Sequence, residues 1–225
     1  MASDEYLRRY AEVYTMYTPR KAGIVVEWLK IVLAKQNPKG LLVDLGCGPA
    51  EMYPIVKQLG YSYLGVDTNP YILDRARREN PGIDVRHGQA QELPVKGQSA
   101  NVVLMNMLVH SFDSLWALNG TIEEARRVLK KDGLLLLTML GENKTENKID
   151  PAFNAMSPGK PKPIVYTAEF PKGVLEMDVY HWPKASVVGI MEFFCNFTVI
   201  SPQLYGLDDS VQNNKTYEMI VGIKN

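Results

Sequence analysis

The sequence predicts an α/β domain built on an open, doubly wound, mostly parallel sheet. Three observations carry that expectation. Apolar runs at LLVDL (41–45), SYLGVD (62–67), IDVRH (83–87), NVVLMN (101–106) and LLLLTML (134–140) alternate with helical patterns near 50–59, 70–79 and 114–131. The runs lack the alternating polarity of half-solvated strands, so they suit parallel strands covered on both faces. A glycine-rich turn, GCG (46–48), joins the first run to the helical pattern after it. The repeated β-α-β order implies right-handed crossovers.

Each element has a local cause. Ser3 caps a first helix, with Asp4 and Glu5 in the turn where negative charge favours the dipole. Leu7, Tyr10, Tyr14 and Tyr17 repeat at helical spacing until Thr18-Pro19 stops it. A second helix, roughly 20–35, offers Ile24, Val25, Trp28 and Val32 for burial, and Asn37-Pro38-Lys39-Gly40 breaks it. After residue 140, GENKTENK (141–148) and MSPGKPKP (156–163) read as solvated loops. Two β-leaning runs flank Pro171-Lys172-Gly173, which predicts a hairpin over 164–182. A helix (184–194) precedes strands at FTVIS (197–201) and KTYEMIVGI (215–223), which can close the sheet in antiparallel fashion. No internal repeat or second-domain boundary is visible, so residues 1–225 read as one domain.

Composition narrows the function. The 25 basic and 25 acidic residues cancel, and no basic stripe marks a nucleic-acid binder. Cys47 and Cys195 are too few for a disulfide framework or a cysteine-based zinc site, and no His/carboxylate set has ligand spacing. The longest apolar stretch (134–140) falls far below the ~20 residues of a spanning helix. The charged N-terminal stretch lacks the apolar centre of a signal peptide. A cytoplasmic protein with no membrane partner is the expectation.

In an open α/β sheet, ligands sit at the carboxyl ends of the strands. VDLGCGPAE (43–51) lies there, with a helix expected from about Pro49. Gly46 and Gly48 permit positive φ and close approach of a ligand to the backbone. A phosphate loop needs Lys-Ser/Thr after its glycines, and Pro49-Ala50-Glu51 has neither. A dinucleotide loop wants glycine or alanine where Glu51 stands, because a carboxylate there would face pyrophosphate. A ligand with an ammonium group and no phosphate tolerates Glu51 and uses Asp44, which fits S-adenosylmethionine. Asp67, 19 residues beyond Gly48, can accept both hydroxyls of a ribose, a spacing shared with dinucleotide folds.

Taken together, VDLGCGPAE, GVDTNPYILDRAR, HGQAQELPV, NVVLMNMLVHSF and EEARRVLKKDGLLLLTML resemble the ordered motifs of class I S-adenosylmethionine-dependent methyltransferases of the small-molecule, ubiquinone-biosynthesis-like type. The resemblance covers residues 41–140 well and the C-terminal strands loosely. It implies a Rossmann-like seven-stranded sheet of order 3-2-1-4-5-7-6 with the last strand antiparallel. It also implies a helical lid (1–36), a cofactor-binding core (40–140), a substrate-cover insertion (141–183) and a C-terminal helix with strands (184–225). On the cofactor side it places Asp44, Gly46, Cys47 and Gly48 at the methionine part, and Asp67 at the ribose. Thr68 and Ile72 pack near the adenine, whose edge meets Gln89 and the Ala90 backbone. The family usually has an acidic residue where Gln89 stands; glutamine still accepts from the adenine amine. Asn106 and Met107 flank the methionine end and the reactive sulfonium. Tyr17 and Arg20, at the end of the lid, can complete the cofactor site.

The acceptor leaves a weaker trace, since an activated methyl needs mostly a held nucleophile and excluded water. Tyr14 from the lid, His110 after the fourth strand and His181 near the end of the hairpin are the catalytic candidates, with His110 ranked first as a base. Ordinary helix packing would equally explain Tyr10, Tyr14 and Tyr17. Tyr166, Glu169, Asp178, Tyr180 and Trp182 line the same excursion. His87 ends the third strand, and Asp208-Asp209 reads as a turn rather than a metal pair. The expected activity is methyl transfer to O, N or C of a small molecule in a covered aromatic pocket, by a monomer or homodimer. The alternatives are methylation of a peptide or protein N-terminal amine, and a non-catalytic cofactor-binding partner subunit.

Overall fold

The computed structural model describes residues 3–17, 23–140, 162–170, 173–201, 205, 207, 210–212 and 215–225. At 13–17, 24, 140, 162–170, 173–179, 181, 210–212 and 215–217 it describes the backbone alone. Thr18-Pro19, Arg20, the loop 141–148, residues 156–161 of the second loop, and Asp208-Asp209 lie outside the described residues.

Helix α1 (Asp4–Tyr17) starts where Ser3 Oγ accepts from Tyr6 N at 3.1 Å. Helix α2 (Gly23–Lys35) buries Val25, Trp28 and Val32 as expected, together with Leu29 and Leu33. Lys39 closes α2 by donating to the Leu33 and Ala34 carbonyls, where positive charge also suits the dipole.

The sheet consists of β1 (Leu41–Leu45), β2 (Ser62–Asp67), β3 (Val85–His87), β4 (Ala100–Asn106), β5 (Leu129–Leu140), β8 (Phe197–Ile200) and β10 (Lys215–Lys224). Their order is β3-β2-β1-β4-β5-β10-β8, the sequence 3-2-1-4-5-7-6. The first five strands are parallel, and β10 runs antiparallel to both neighbours. A short strand, β9 (Ser210–Gln212), pairs with β10 and has no counterpart in the sequence reading. Strands β6 (Lys162–Phe170) and β7 (Gly173–His181) form the predicted hairpin, with Phe170 opposite Gly173.

Both faces of the sheet are apolar, which is why its strands lack alternation. Val43, Leu45, Val103 and Met105 pack with α5 (Leu115–Val128) and α6 (Lys184–Gly189). Leu42, Leu104 and Leu136 pack on the other face with α2, α3 (Tyr53–Gln58) and α4 (Pro70–Glu79). Cys47 belongs to this second layer, pressed against β2: a Cβ added at Gly65 would lie 2.7 Å from Cys47 Sγ.

Strand β3 starts at Val85, two residues later than expected, and β6 starts at Lys162, inside the expected loop 156–163. Three further differences have a local cause. Helix α3 starts at Tyr53, because Ala50 has φ +63 and cannot join a right-handed helix. The loop is therefore followed by turns rather than by a helix N-terminus. Helix α5 ends at Val128, since Leu129 already pairs with Ala100; the chain then bulges through Asp132 (φ 61) and re-registers at Val102–Leu134. Helix α6 ends in a π-helical turn, Ile190–Phe194, inside the predicted 184–194 helix.

Candidate functional site

The carboxyl ends of β1, β2 and β4 meet around the glycine turn. Gly46 and Gly48 have φ +65 and +53, the left-handed region that a side chain opposes. A Cβ at Gly46 would also fall 2.6 Å from Leu108 Cδ1, so a side chain at 46 would have to displace Leu108. The turn is strapped to β2: Gly46 N and Cys47 N donate to the Val66 carbonyl at 2.8 and 3.2 Å, and Gly48 N donates to Asp67 Oδ2 at 2.9 Å. The other Asp67 oxygen accepts from Asn69 N at 2.9 Å. Asn69 Oδ1 caps α4 by accepting from Tyr71 N and Ile72 N.

The electrostatics are one-sided. Asp44 is 2% exposed and accepts from the Tyr63 phenol at 2.8 Å. Burial pushes its carboxyl up to about 7 against the pull of that phenol, and Asp67 and Glu51 add to the rise. Asp67 is also raised, chiefly by burial, although N–H groups of Asn69, Gly48 and Thr68 and the nearby His87 draw it back. Burial and Asp67 together raise the Tyr10 phenol from α1, and burial raises the Cys47 thiol. Asp44 and Asp67 thus flank the glycine turn, with Glu51 near enough to act on Asp44, an arrangement suited to a cation bearing hydroxyls and ill suited to phosphate.

Beyond Asp67, Thr68 is exposed, with its carbonyl accepting from His87 Nε2 at 3.1 Å, while Ile72 is fully buried on α4. Gln89 and Ala90 follow β3, with Gln89 exposed and its carbonyl bonded to Glu92 N. At the end of β4, Met107 holds φ +58, a strained value for a non-glycine residue. Thr138 of β5 holds it there: its carbonyl and its hydroxyl oxygen each accept from Met107 N at 3.1 Å, and the hydroxyl donates to Asn106 Oδ1 at 2.7 Å.

On the acceptor side, His110 sits in a 3-10 turn (Val109–Ser111) and is 6% exposed. Its Nδ1 lies 3.0 Å from the Tyr180 carbonyl. A carbonyl only accepts, so Nδ1 carries a proton in this contact. Trp182 is buried and its indole donates to the Phe112 carbonyl at 3.1 Å, a second tie between the end of the hairpin and the turn after β4. Helix α1 packs against α4 and against β7.

The structure therefore gathers Asp44, Gly46, Cys47, Gly48, Asp67, Thr68, Asn106, Met107 and His110 at the strand ends. Tyr14 and Tyr17 lie in α1 and His181 ends β7, but their side chains are outside the description, as is all of Arg20. Sequence reasoning missed Tyr63, Asn69 and Thr138, the partners of predicted residues. Thr138 had a visible signal, one hydroxyl inside the apolar run LLLLTML, and so did Asn69, an N-cap residue immediately before Pro70, whereas Tyr63 had none.

Residues 43–137 match the protein family described as "Methyltransferase domain". The "Probable S-adenosylmethionine-dependent methyltransferase" of Mycolicibacterium smegmatis is 26% identical over 165 residues, 73% of this chain and 52% of that protein. The ubiquinone biosynthesis O-methyltransferase of Cereibacter sphaeroides is 33% identical over 107 residues, 45% of this chain and 42% of that protein. The chain spans about half the length of the curated relatives it matches. A solved structure from Pyrococcus horikoshii has a TM-score of 0.70 at 19% identity, covering 96% of this chain and 99% of that one, a likeness of fold.

Proposed function

We propose that this chain, whose residues 43–137 match a methyltransferase domain, is a class I S-adenosylmethionine-dependent methyltransferase that transfers the methyl group to O, N or C of a small-molecule acceptor. The observation that carries the reading is the positive-φ glycine turn with Asp44 and Asp67 beside it, which offers negative charge to a cation and disfavours phosphate. The ubiquinone-biosynthesis relative, an O-methyltransferase by name, supports an acceptor of metabolite size, as does a net charge of zero.

In this reading Asp44 and the backbone at Gly46, Cys47 and Gly48 hold the methionine end, and Asp67 accepts from the ribose hydroxyls. Thr68, Ile72, Gln89 and Ala90 border the adenine. The bound cofactor supplies a methyl group on a positively charged sulfur, electrophilic without further activation. The protein's task is then to orient the acceptor and exclude water. Asn106 and Met107, fixed by Thr138, form the floor beside the reacting centre. His110 Nε2 takes the acceptor's proton where there is one to lose, with its Nδ1–H anchored on Tyr180. The hairpin and α1 roof the acceptor in this reading, and Tyr14 and Tyr17 of α1, Arg20 after it and His181 at the end of β7 are the residues assigned to that side.

The deciding experiment incubates the protein with methyl-labelled S-adenosylmethionine and extracts separated into small-molecule, peptide and RNA fractions. Label in the small-molecule fraction is expected. Label confined to peptide or RNA would overturn the acceptor class, and no transfer despite cofactor binding would overturn the enzymatic reading.

A further inference from the structure

Asn69 occupies a position where any of several residues would serve α4. Ser, Thr and Asp cap helices about as well as Asn, since each supplies the accepting oxygen. Asn alone adds an N–H donor to that oxygen, and here the donor is used. With Oδ1 committed to Tyr71 N and Ile72 N, the side-chain nitrogen must face the other way, where it donates to the Leu7 carbonyl of α1 at 2.8 Å. The residue is 4% exposed, so this bond is shielded from water. Its backbone N–H meanwhile grips Asp67. One buried residue thus touches the proposed ribose carboxylate, the start of α4 and the helix expected to cover the site.

A second set of ties between α1 and α4 is of a different kind. The Tyr71 phenol donates to Asp4 Oδ1 at 2.6 Å, and the Arg8 guanidinium lies over the Tyr71 ring and 3.4 Å from Asp4. Asp4 and Arg8 are mostly exposed, and such pairs contribute little in water. The Tyr10 ring, by contrast, is brought by α1 into the field of Asp67.

We infer that Asn69 is a positioning residue that couples occupancy of the ribose site at Asp67 to the docking of α1. A ligand that fixes the Asp67 carboxylate fixes the turn carrying Asn69, and with it the donor that holds Leu7. By reciprocity, a docked α1 raises cofactor affinity by the same factor by which cofactor raises docking. This rests on the reading of the glycine cradle as an S-adenosylmethionine site, and it assigns that site its closing device.

The test uses the full chain, S-adenosylhomocysteine as probe, and the variants Asn69→Ser and Asn69→Asp, both of which keep a capping oxygen and lose the donor. Trypsin cleavage after Arg8 and Arg9 of α1, followed by mass spectrometry with and without saturating probe, reports docking. The wild type is expected to gain about 10-fold protection on saturation, within the ordinary range of couplings between sites. In both variants that gain is expected to fall below about 2-fold while probe affinity drops only roughly 2- to 10-fold, the worth of one hydrogen bond. Melting temperature confirms that each variant is folded, and Asn69→Asp stands in should Asn69→Ser be unstable. Wild-type protection ratios in the variants, or no protection in saturated wild type, would overturn the coupling. A wild type that fails to bind the probe would instead overturn the cofactor reading itself.

Discussion

Tyr63→Phe is the sharpest probe of the acidic cradle, because it removes one oxygen and little else. The Tyr63 ring packs edge-on against Tyr53, with centroids 5.2 Å apart, and phenylalanine preserves that contact. What is lost is the donor 2.8 Å from Asp44. Burial lifts the Asp44 carboxyl from 3.8 to about 7, a disadvantage of the ionised form of about 4 kcal/mol at 1.36 kcal/mol per pH unit. For a carboxyl raised on folding, the stabilising contribution is fully present below the unfolded value and is lost as pH climbs through about 7. A cationic ligand favours the ionised form, so cofactor affinity should rise across that interval and level off above it. A hydrogen bond to a charged acceptor is worth about 1.5–3 kcal/mol, so Tyr63→Phe should move the midpoint upward by about 1–2 pH units. Titration calorimetry with S-adenosylhomocysteine between pH 5.5 and 8.5 reads this directly, with Asp44→Asn as the variant that should abolish the dependence. Coincident midpoints for wild type and Tyr63→Phe, or an undiminished pH dependence in Asp44→Asn, would refute the reasoning.

Asp67→Ala should weaken S-adenosylhomocysteine binding by about 100-fold or more, since two hydroxyls would lose a charged acceptor; unchanged affinity by calorimetry would sink the ribose assignment. His110→Ala should cut turnover by about 10²–10⁴-fold, the usual reach of general-base catalysis, with cofactor affinity held within about 2-fold. Wild-type turnover would make the ring structural and pass the role to His181. Thr138→Val keeps the volume but strips Asn106 Oδ1 of its donor, and should cost about 1–3 kcal/mol in urea unfolding while raising the KM for cofactor. A loss within about 0.5 kcal/mol and an unchanged KM would show that Met107 holds its strained turn without the hydroxyl.

The sequence made the parallel core legible because burial on both faces leaves an unmistakable mark: LLVDL and SYLGVD are strands over the residues expected. Motif residues at the strand ends were legible for a related reason, since Asp44, Gly46, Gly48 and Asp67 keep fixed sequence offsets from those strands. Their partners were not. Tyr63 reaches Asp44 only because β1 and β2 pair with Leu42 opposite Tyr63 and Asp44 opposite Gly65, which makes the two a diagonal pair on one face. That register exists in three dimensions and nowhere in the string. The positive φ of Ala50, which delays α3, and the bulge that lets β5 begin at Leu129 escape for the same reason: tertiary packing overrides residue preference at both. The acceptor side was legible only as a hairpin, because a roof is specified by turn residues and not by the chemistry beneath it.

The contact between Cys47 and Gly65 carries a consequence for how the chain can vary. Position 65 has no freedom of its own: a side chain there would strike the sulfur at 47, and Val85 Cγ1, 3.0 Å from the same added Cβ, blocks retreat on the other side. A side chain at 65 is therefore admissible only with a change at 47. Alanine at 65 is eased by glycine at 47, which removes both the sulfur and the Cβ it would meet, whereas a thiol at 47 demands bare backbone at 65. A library that varied 65 alone would recover few folded members, and one that paired each change there with glycine at 47 would recover more.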